Sequence, residues 1–284
     1  MTRKRTKFIL TIVVVFIGLL SLYSIWEFYL YSPWTRDGRI RAHVVTIAPD
    51  VSGFIVSLDV KDNQFINKGD ILLKIDRSRY GPELESAKAK AIQAKVALEK
   101  SVEEYSRRQK LIANKSISKE ELANYKIATE LKEAEYKEAL ANQKIAQVNF
   151  DRTTIYAPVS GYITNTNIRQ GNYAKKSVTL LSIVESDSFY VTGYFEETKI
   201  PKIKIEAPAK ITLMSGIVLR GKVESIGRGV ADKNTTVNSL SLPEIQQTYD
   251  WIRLAKRIPV NIKLTYIPNN VVLSAGMNST ISIE

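Results

Sequence analysis

Cysteine is absent from the 284 residues and histidine occurs once, at His43. A chain without thiols has no disulfide framework, no Cys-type zinc site and no Cys nucleophile, and a single histidine rules out a multi-histidine metal centre. Any catalysis would have to run on carboxylates, lysines or tyrosines, or through the one Ser-His-Asp arrangement that His43 permits. Glycine and proline are missing from the 75 residues 83–157. That gap removes the usual helix breakers from more than a quarter of the chain.

What is present is basic: 41 Lys and Arg against 29 Asp and Glu, a net charge of +12. Such a balance admits nucleic acid, a membrane surface or acidic partners. With 44% apolar and 9% aromatic residues there is enough to fill the cores of one to three domains. Position explains part of the charge. Arg3, Lys4, Arg5 and Lys7 precede an uncharged 19-residue run, 8–26. A helix of that length, rising about 1.5 Å per residue and extended by a few flanking residues, spans the roughly 30 Å hydrocarbon layer. Trp26, Phe28, Tyr29, Tyr31 and Trp34 follow where a secretory signal would carry a small-residue cleavage site. The run therefore reads as an uncleaved anchor, with a cytoplasmic tail 1–7, a transmembrane helix within 8–31, and everything beyond it outside the inner membrane. Residues 32–43 read as a linker.

Two segments 108 residues apart then repeat each other, 47–76 and 155–184. Val51-Ser52-Gly53-Phe54-Ile55 falls on Val159-Ser160-Gly161-Tyr162-Ile163, and Leu72-Leu73 with Ile75 on Leu180-Leu181 with Ile183. Each copy alternates as short strands around a glycine turn. A unit of about thirty residues is too small to bury its own face, so the copies, within 44–76 and 154–184, are expected to fold against each other as one sandwich. Ala157-Pro158-Val159-Ser160-Gly161 and Lys68-Gly69-Asp70-Ile71-Leu72 resemble the two quasi-symmetric halves of the biotinyl/lipoyl carrier fold. A carrier presents its modified lysine on the tight turn between the halves. Here that turn is replaced by the insertion 77–153, and the carrier function goes with it.

The insertion is rich in Ala, Glu, Lys, Gln and Leu, all strong helix formers. Leu84, Ala87, Ala91, Ala94, Leu98, Ser101, Tyr105, Arg108 and Ile112 alternate in steps of three and four, the seam of a coiled coil. The return segment offers two stripes, Leu122-Tyr125-Thr129-Tyr136-Ala139-Ala146-Phe150 and Ile127-Leu131-Ala134-Ala141-Ile145-Val148, and the pattern does not choose between them. Between the arms, Asn114-Lys115-Ser116-Ile117 breaks the periodicity and Ser118-Lys119-Glu120-Glu121 reads as a capping box. The expectation is an antiparallel helical hairpin projecting about 48 Å. Its 16 basic and 12 acidic residues make a mixed, solvated surface rather than a nucleic-acid face.

Beyond 184, alternating segments at 189–195, 209–213, 219–226, 260–264 and 279–283 predict a small antiparallel β-barrel over 185–284. Glu196-Glu197 reads as a solvated turn rather than a catalytic pair, and the polar loop 231–249 lacks the spacing of a calcium loop. Trp251, Arg253, Lys256 and Arg257 form a basic aromatic stretch, read as a strand with exposed basic residues. The fold class is therefore mainly β, with a long α-helical coiled-coil hairpin, an N-terminal transmembrane helix, a split lipoyl/biotinyl-like sandwich and an antiparallel barrel.

This order resembles the HlyD-type membrane fusion proteins over essentially the full chain. It is most similar to the p-hydroxybenzoic, or aromatic carboxylic acid, efflux adaptor subgroup and its EmrA-like relatives. Ser32-Pro33-Trp34-Thr35-Arg36-Asp37-Gly38, residues 44–53, Ser188-Phe189-Tyr190-Val191, Glu196-Glu197-Thr198-Lys199 and residues 251–260 carry that resemblance. Arg107, Leu111 and Ser118, spaced as Arg-x3-Leu-x6-Ser, match the triplet with which such adaptors dock a TolC-like outer-membrane channel. The resemblance implies a non-enzymatic periplasmic adaptor without cofactor or metal. Its partners would be an inner-membrane transporter of the aromatic-acid exporter or major-facilitator type, the channel, and its own copies in a ring of three or six. An adaptor for an ABC-type secretion or peptide export system is the alternative.

Overall fold

The computed structural model describes residues 12–23, 26, 32–112, 117–230, 255–268 and 271–284. Among them β1 (Trp34–Arg41) is followed by β2 (Val44–Ile47), β3 (Gly53–Leu58), β4 (Phe65–Ile66) and β5 (Ile71–Ile75). The helices α1 (Tyr80–Ile112) and α2 (Lys119–Asp151) come next, then β6 (Thr154–Tyr156), β7 (Gly161–Thr164), β8 (Tyr173–Ala174) and β9 (Leu181–Glu185). The last strands are β10 (Tyr190–Glu196), β11 (Pro208–Leu213), β12 (Val218–Ile226), β13 (Arg257–Tyr266) and β14 (Asn278–Ile283). Two compact units result, one of residues 44–186 and one that joins the N-terminal segment through His43 to residues 187–284.

In the first unit the two sequence copies do not each make a sheet. One sheet runs β2-β9-β7-β4 and the other β6-β5-β3-β8, so each takes two strands from each copy. The interleaving is quasi-symmetric to the level of single bonds. The Lys68 N–H donates to Ser160 Oγ at 2.9 Å and, 108 residues on, the Lys176 N–H donates to Ser52 Oγ at 2.9 Å. The Gly69 and Ser177 amides likewise reach the Ala157 and Pro49 carbonyls. Left-handed backbone recurs at Asn63 and Gly171, and at Gly69 and Ser177. Between the sheets Ile55, Leu72, Leu73, Ile163, Leu181 and Ile183 are fully buried. Each stabilises the fold by about 1.5–3 kcal/mol relative to exposure.

The hairpin leaves this sandwich between β5 and β6. The Ile75 N–H donates to the Thr153 carbonyl at 2.7 Å, which fixes the two ends of the insertion side by side. Arg77 locks the junction: Nε donates to Thr153 Oγ1 at 2.9 Å, Nη2 to Thr154 Oγ1 at 2.5 Å, and its guanidinium lies 4.7 Å from the Phe150 ring centre. Asp76 accepts from the Ser78 amide and hydroxyl at 2.8 Å each, and these bonds hold its carboxyl below the usual range. Pro82 sits in the first turn of α1, where a missing N–H costs nothing. The α1 seam has the expected phase, Leu84 and Ala91 being buried. On α2 the stripe through Leu122, Tyr125 and Thr129 faces α1, whereas Ile127, Leu131 and Ile145 are 53–60% exposed. Hydrogen bonds settle that choice, because Ser101 meets Thr129 at 3.0 Å and Arg108 Nη2 donates to Tyr125 Oη at 3.1 Å.

The second unit is a closed barrel, β1-β10-β13-β12-β11-β14. Residues 32–43 are therefore not a linker. β1 closes the barrel between β10 and β14, with Gly38 opposite Gly193 and Ser279. Ile40 from β1 is fully buried beside Val191, Phe195, Ile211, Leu219 and Ile281. Packing explains both glycines, since a Cβ at Gly38 or Gly193 would come within 2.7 Å of the Ile281 side chain.

At the N-terminus, residues 12–23 and 26 are helical and exposed. Among the described residues no helix is long and apolar enough to cross a membrane, and the remainder of 8–31 lies outside them.

The equivalent glycines of the sandwich differ in what a side chain would meet. A methyl group at Gly161 would fall on the Val184 carbonyl, inside the β7–β9 ladder, whereas at Gly53 its close contact would be the side-chain atom Ile75 Cγ2, at 2.6 Å. Gly161→Ala is expected to cost about 3 kcal/mol or more and Gly53→Ala about 1–2 kcal/mol. Urea unfolding of the two variants checks the order, and equal or reversed losses would contradict it.

Candidate functional site

The hairpin's far end is built by the last turn of α1 and the first turn of α2. Arg107 and Leu111 lie one turn apart on α1, and Ser118 opens α2 across residues 113–116, which lie outside the described residues. Arg107 Nη1 pairs with Glu103 Oε1 at 3.0 Å, and its side chain is 61% exposed. Its neighbour Arg108 takes the inward position, over the Tyr125 ring at 5.0 Å. The guanidinium of Arg107 is thus the one turned to solvent. Leu111 and Ser118 are exposed too.

Ser118 caps α2. Its backbone is extended and its Oγ accepts from the Glu121 N–H at 3.0 Å, the forward half of the expected capping box. Glu120 and Glu121 place negative charge at the positive end of the helix dipole. The far end therefore offers a charged fork, an apolar side chain and a hydroxyl on a stiff support. It can hydrogen-bond and pack against another surface.

A second site joins stretches that sequence reasoning kept apart. Trp34, Thr35, Arg36 and Asp37 from β1 meet Tyr194 and Glu196 from β10, Lys199 from the 3-10 turn Glu197–Lys202, and Arg257 from β13, around a cleft of about 620 Å³. Pairing of β1 with β14 shifts register between Thr35 and Gly38, and such a bulge re-aims side chains. Thr35 fixes it, donating from Oγ1 to the Tyr194 carbonyl at 2.8 Å and accepting from the Asp37 N–H at 3.1 Å. Asp37 binds Arg257 at 2.8 Å and Arg39 at 3.6 Å. Residues 251–254 of the basic aromatic stretch and the polar loop 231–249 lie outside the described residues. The one signal in the sequence was that Trp34-Thr35-Arg36-Asp37 and Glu196-Glu197-Thr198-Lys199 both carried the family resemblance.

Comparison with known proteins follows this division. Residues 43–186 match the RND membrane fusion protein (MFP) barrel-sandwich hybrid domain, and residues 188–284 match the AAEA-like beta-barrel domain. YdhJ of Escherichia coli K12, an uncharacterized protein, is 42% identical over 284 residues, covering 100% of this chain and 99% of that one. The membrane fusion protein Spr0693 of Streptococcus pneumoniae R6 superposes with a TM-score of 0.64 at 16% identity, over 89% of this chain and 99% of that one. MacA of Actinobacillus actinomycetemcomitans gives 0.61 at 24% identity, over 89% and 79%. At such identities these structures speak to fold alone.

The geometry of the far end separates stability from surface chemistry. Ser118→Ala removes a cap and is expected to cost about 1 kcal/mol, read as faster amide exchange over the first turn of α2. Arg107→Ala removes one exposed i,i+4 ion pair, worth about 0.3–0.5 kcal/mol, and is expected to leave that exchange unchanged. Equal effects of the two substitutions would contradict the cap assignment.

Proposed function

The chain belongs to the RND-type membrane fusion proteins, the adaptor family of efflux pumps and a family of structural rather than catalytic components, and from that premise we propose that it links an inner-membrane transporter to a TolC-like outer-membrane channel. The observation that carries this reading is the hairpin. An insertion of two 33-residue helices, about 50 Å long at 1.5 Å per residue, holds Arg107, Leu111 and Ser118 exposed at its far end. A leucine supplies an apolar anchor, and an arginine and a hydroxyl hydrogen-bond exposed backbone at the rim of a channel.

In this reading residues 8–31 anchor the chain in the inner membrane with the N-terminus in the cytoplasm, and the sandwich and barrel lie in the periplasm. Copies associate into a ring of three or six. The resemblance to aromatic carboxylic acid efflux adaptors favours such acids, or drugs, as the exported substrates, with an aromatic-acid or major-facilitator-type transporter supplying the energy.

Site-directed crosslinking in cells tests the docking. Arg107→Ala and Ser118→Asp are expected to lower hairpin-to-channel crosslinks about tenfold, the loss of roughly 1.4 kcal/mol of contact energy, with normal protein levels and an unchanged unfolding transition. Wild-type crosslinking and export in both variants would sink the proposal.

A further inference from the structure

The barrel cleft carries an uneven charge. Arg36, Arg39, Lys199 and Arg257 line it against two carboxylates, Asp37 and Glu196. Asp37 is shared by two of the cations, Arg257 at 2.8 Å and Arg39 at 3.6 Å. Glu196 stands 3.7 Å from Lys199, an ion pair about as long as that of Asp37 with Arg39, and is itself 55% exposed. Among the described residues Arg36 is thus left without a carboxylate, and Lys199 with only this long, exposed one.

Lys199 is the more telling of the two. Its side chain is only 10% exposed, and among the described residues its one hydrogen bond runs from Nζ to the Trp34 carbonyl at 3.3 Å. An ammonium has three protons to donate, and dehydrating it with one exposed counter-ion at 3.7 Å is costly. Arg36 has no carboxylate within ion-pair distance among the described residues; its guanidinium lies 5.6 Å from the centre of the Trp34 ring, over which Lys199 Nζ also sits, at 5.1 Å. One indole thus gathers two cations at the wall of the same cleft, with Tyr194 beside them. The bulge that Thr35 pins lies at the residues that reach the cleft.

We propose that this cleft is a binding site for a small organic carboxylate. The carboxylate takes the Arg36 fork and the Lys199 ammonium as charge-assisted donors, and the apolar body lies against Trp34 and Tyr194. The volume, about 620 Å³, falls in the range of small-molecule sites. Asp37 and Arg257 neutralise each other at the rim and hold the bulge, which leaves the Arg36 and Lys199 pair to select the ligand's charge. The inference stands on the chemistry of the cleft and does not require docking at the hairpin's far end.

Isothermal titration of the full chain in detergent, at fixed ionic strength, with benzoate as probe, tests it. Saturable binding of one benzoate per chain is expected, with benzamide, its neutral isostere, at least about tenfold weaker. Arg36→Gln and Lys199→Met are each expected to weaken benzoate about tenfold, and Arg107→Ala, which does not line the cleft, to leave it unchanged. Lys199 is buried, so a folding failure of its variant leaves the exposed Arg36→Gln to decide. Absence of saturable benzoate binding, equal affinity for benzamide, or undiminished binding by Arg36→Gln would each overturn the proposal. Displacement by sulfate as effective as by benzoate itself would overturn the carboxylate assignment in favour of non-selective anion binding. Absence of benzoate binding by the unsubstituted chain, with intact channel crosslinking, would reject this site and leave the adaptor reading standing.

Discussion

The pairing of β5 with β6 is the constraint on which the rest of the molecule depends. It brings Ile71, Leu73 and Lys74 beside Tyr156, Ile155 and Thr154, and so forces an insertion of two long helices to start and finish at one place. A flexible loop of that length would close its ends at an entropic cost that grows only slowly with size, but it would point nowhere. Here the ends are fixed by ladder bonds and by the Arg77 lock to Thr153, Thr154 and the Phe150 ring, so the direction of both helices is set at the root. Isolated helices in water are marginal even when well composed. These have a narrow seam, and their anchoring to the sandwich supplies what the seam does not.

The same device is used twice. The sandwich is itself an insertion, between β1 and β10 of the barrel, and the ladder that runs from Gly38 opposite Gly193 to Arg41 opposite Tyr190 brackets it. The chain is a set of nested insertions, hairpin within sandwich and sandwich within barrel, each closed by an antiparallel strand pair. Interleaving makes the nesting obligatory. Because each sheet of the sandwich draws strands from both copies, neither copy can bury its face before the other has been synthesised. The helices lie between them in sequence, and the residues that complete the barrel come last.

How much of this was legible in the sequence depends on the kind of signal each element leaves. The repeat at a spacing of 108 was plain because both copies keep the same apolar phase and the same glycine. Its interleaving was not, since strand order within a sheet leaves no trace in periodicity. β1 was hidden by its own bulge: the shift between Thr35 and Gly38 interrupts alternation, and only Gly38 and Ile40 are buried, too few to stand out from a linker. The cleft was missed for the same reason. The second helix is the most instructive case. Its two stripes compete, and the one built on Ile127, Leu131, Ile145 and Val148 is the more apolar. The helix nevertheless turns Tyr125 and Thr129 inward, because Ser101 and Arg108 on the facing helix are polar and would otherwise be buried without partners. A polar seam was selected by its hydrogen bonds, and apolar counting along one helix cannot see a partner on the other.

Separation of surface chemistry from folding follows from the same geometry. The far end of the hairpin lies about 50 Å along the helices from the sandwich, and Arg107, Leu111 and Ser118 take no part in the sandwich core. Substitutions separated by more than about 10 Å and without shared partners act additively. The chain can therefore alter what its far end recognises while the sandwich and barrel keep their stability. The cleft obeys the opposite rule. Arg36 and Asp37 belong to the strand that closes the barrel, and Lys199 is buried against that strand's first residue, Trp34. Whatever occupies the cleft therefore acts directly on barrel closure, and the barrel's stability is the quantity through which its occupancy would register.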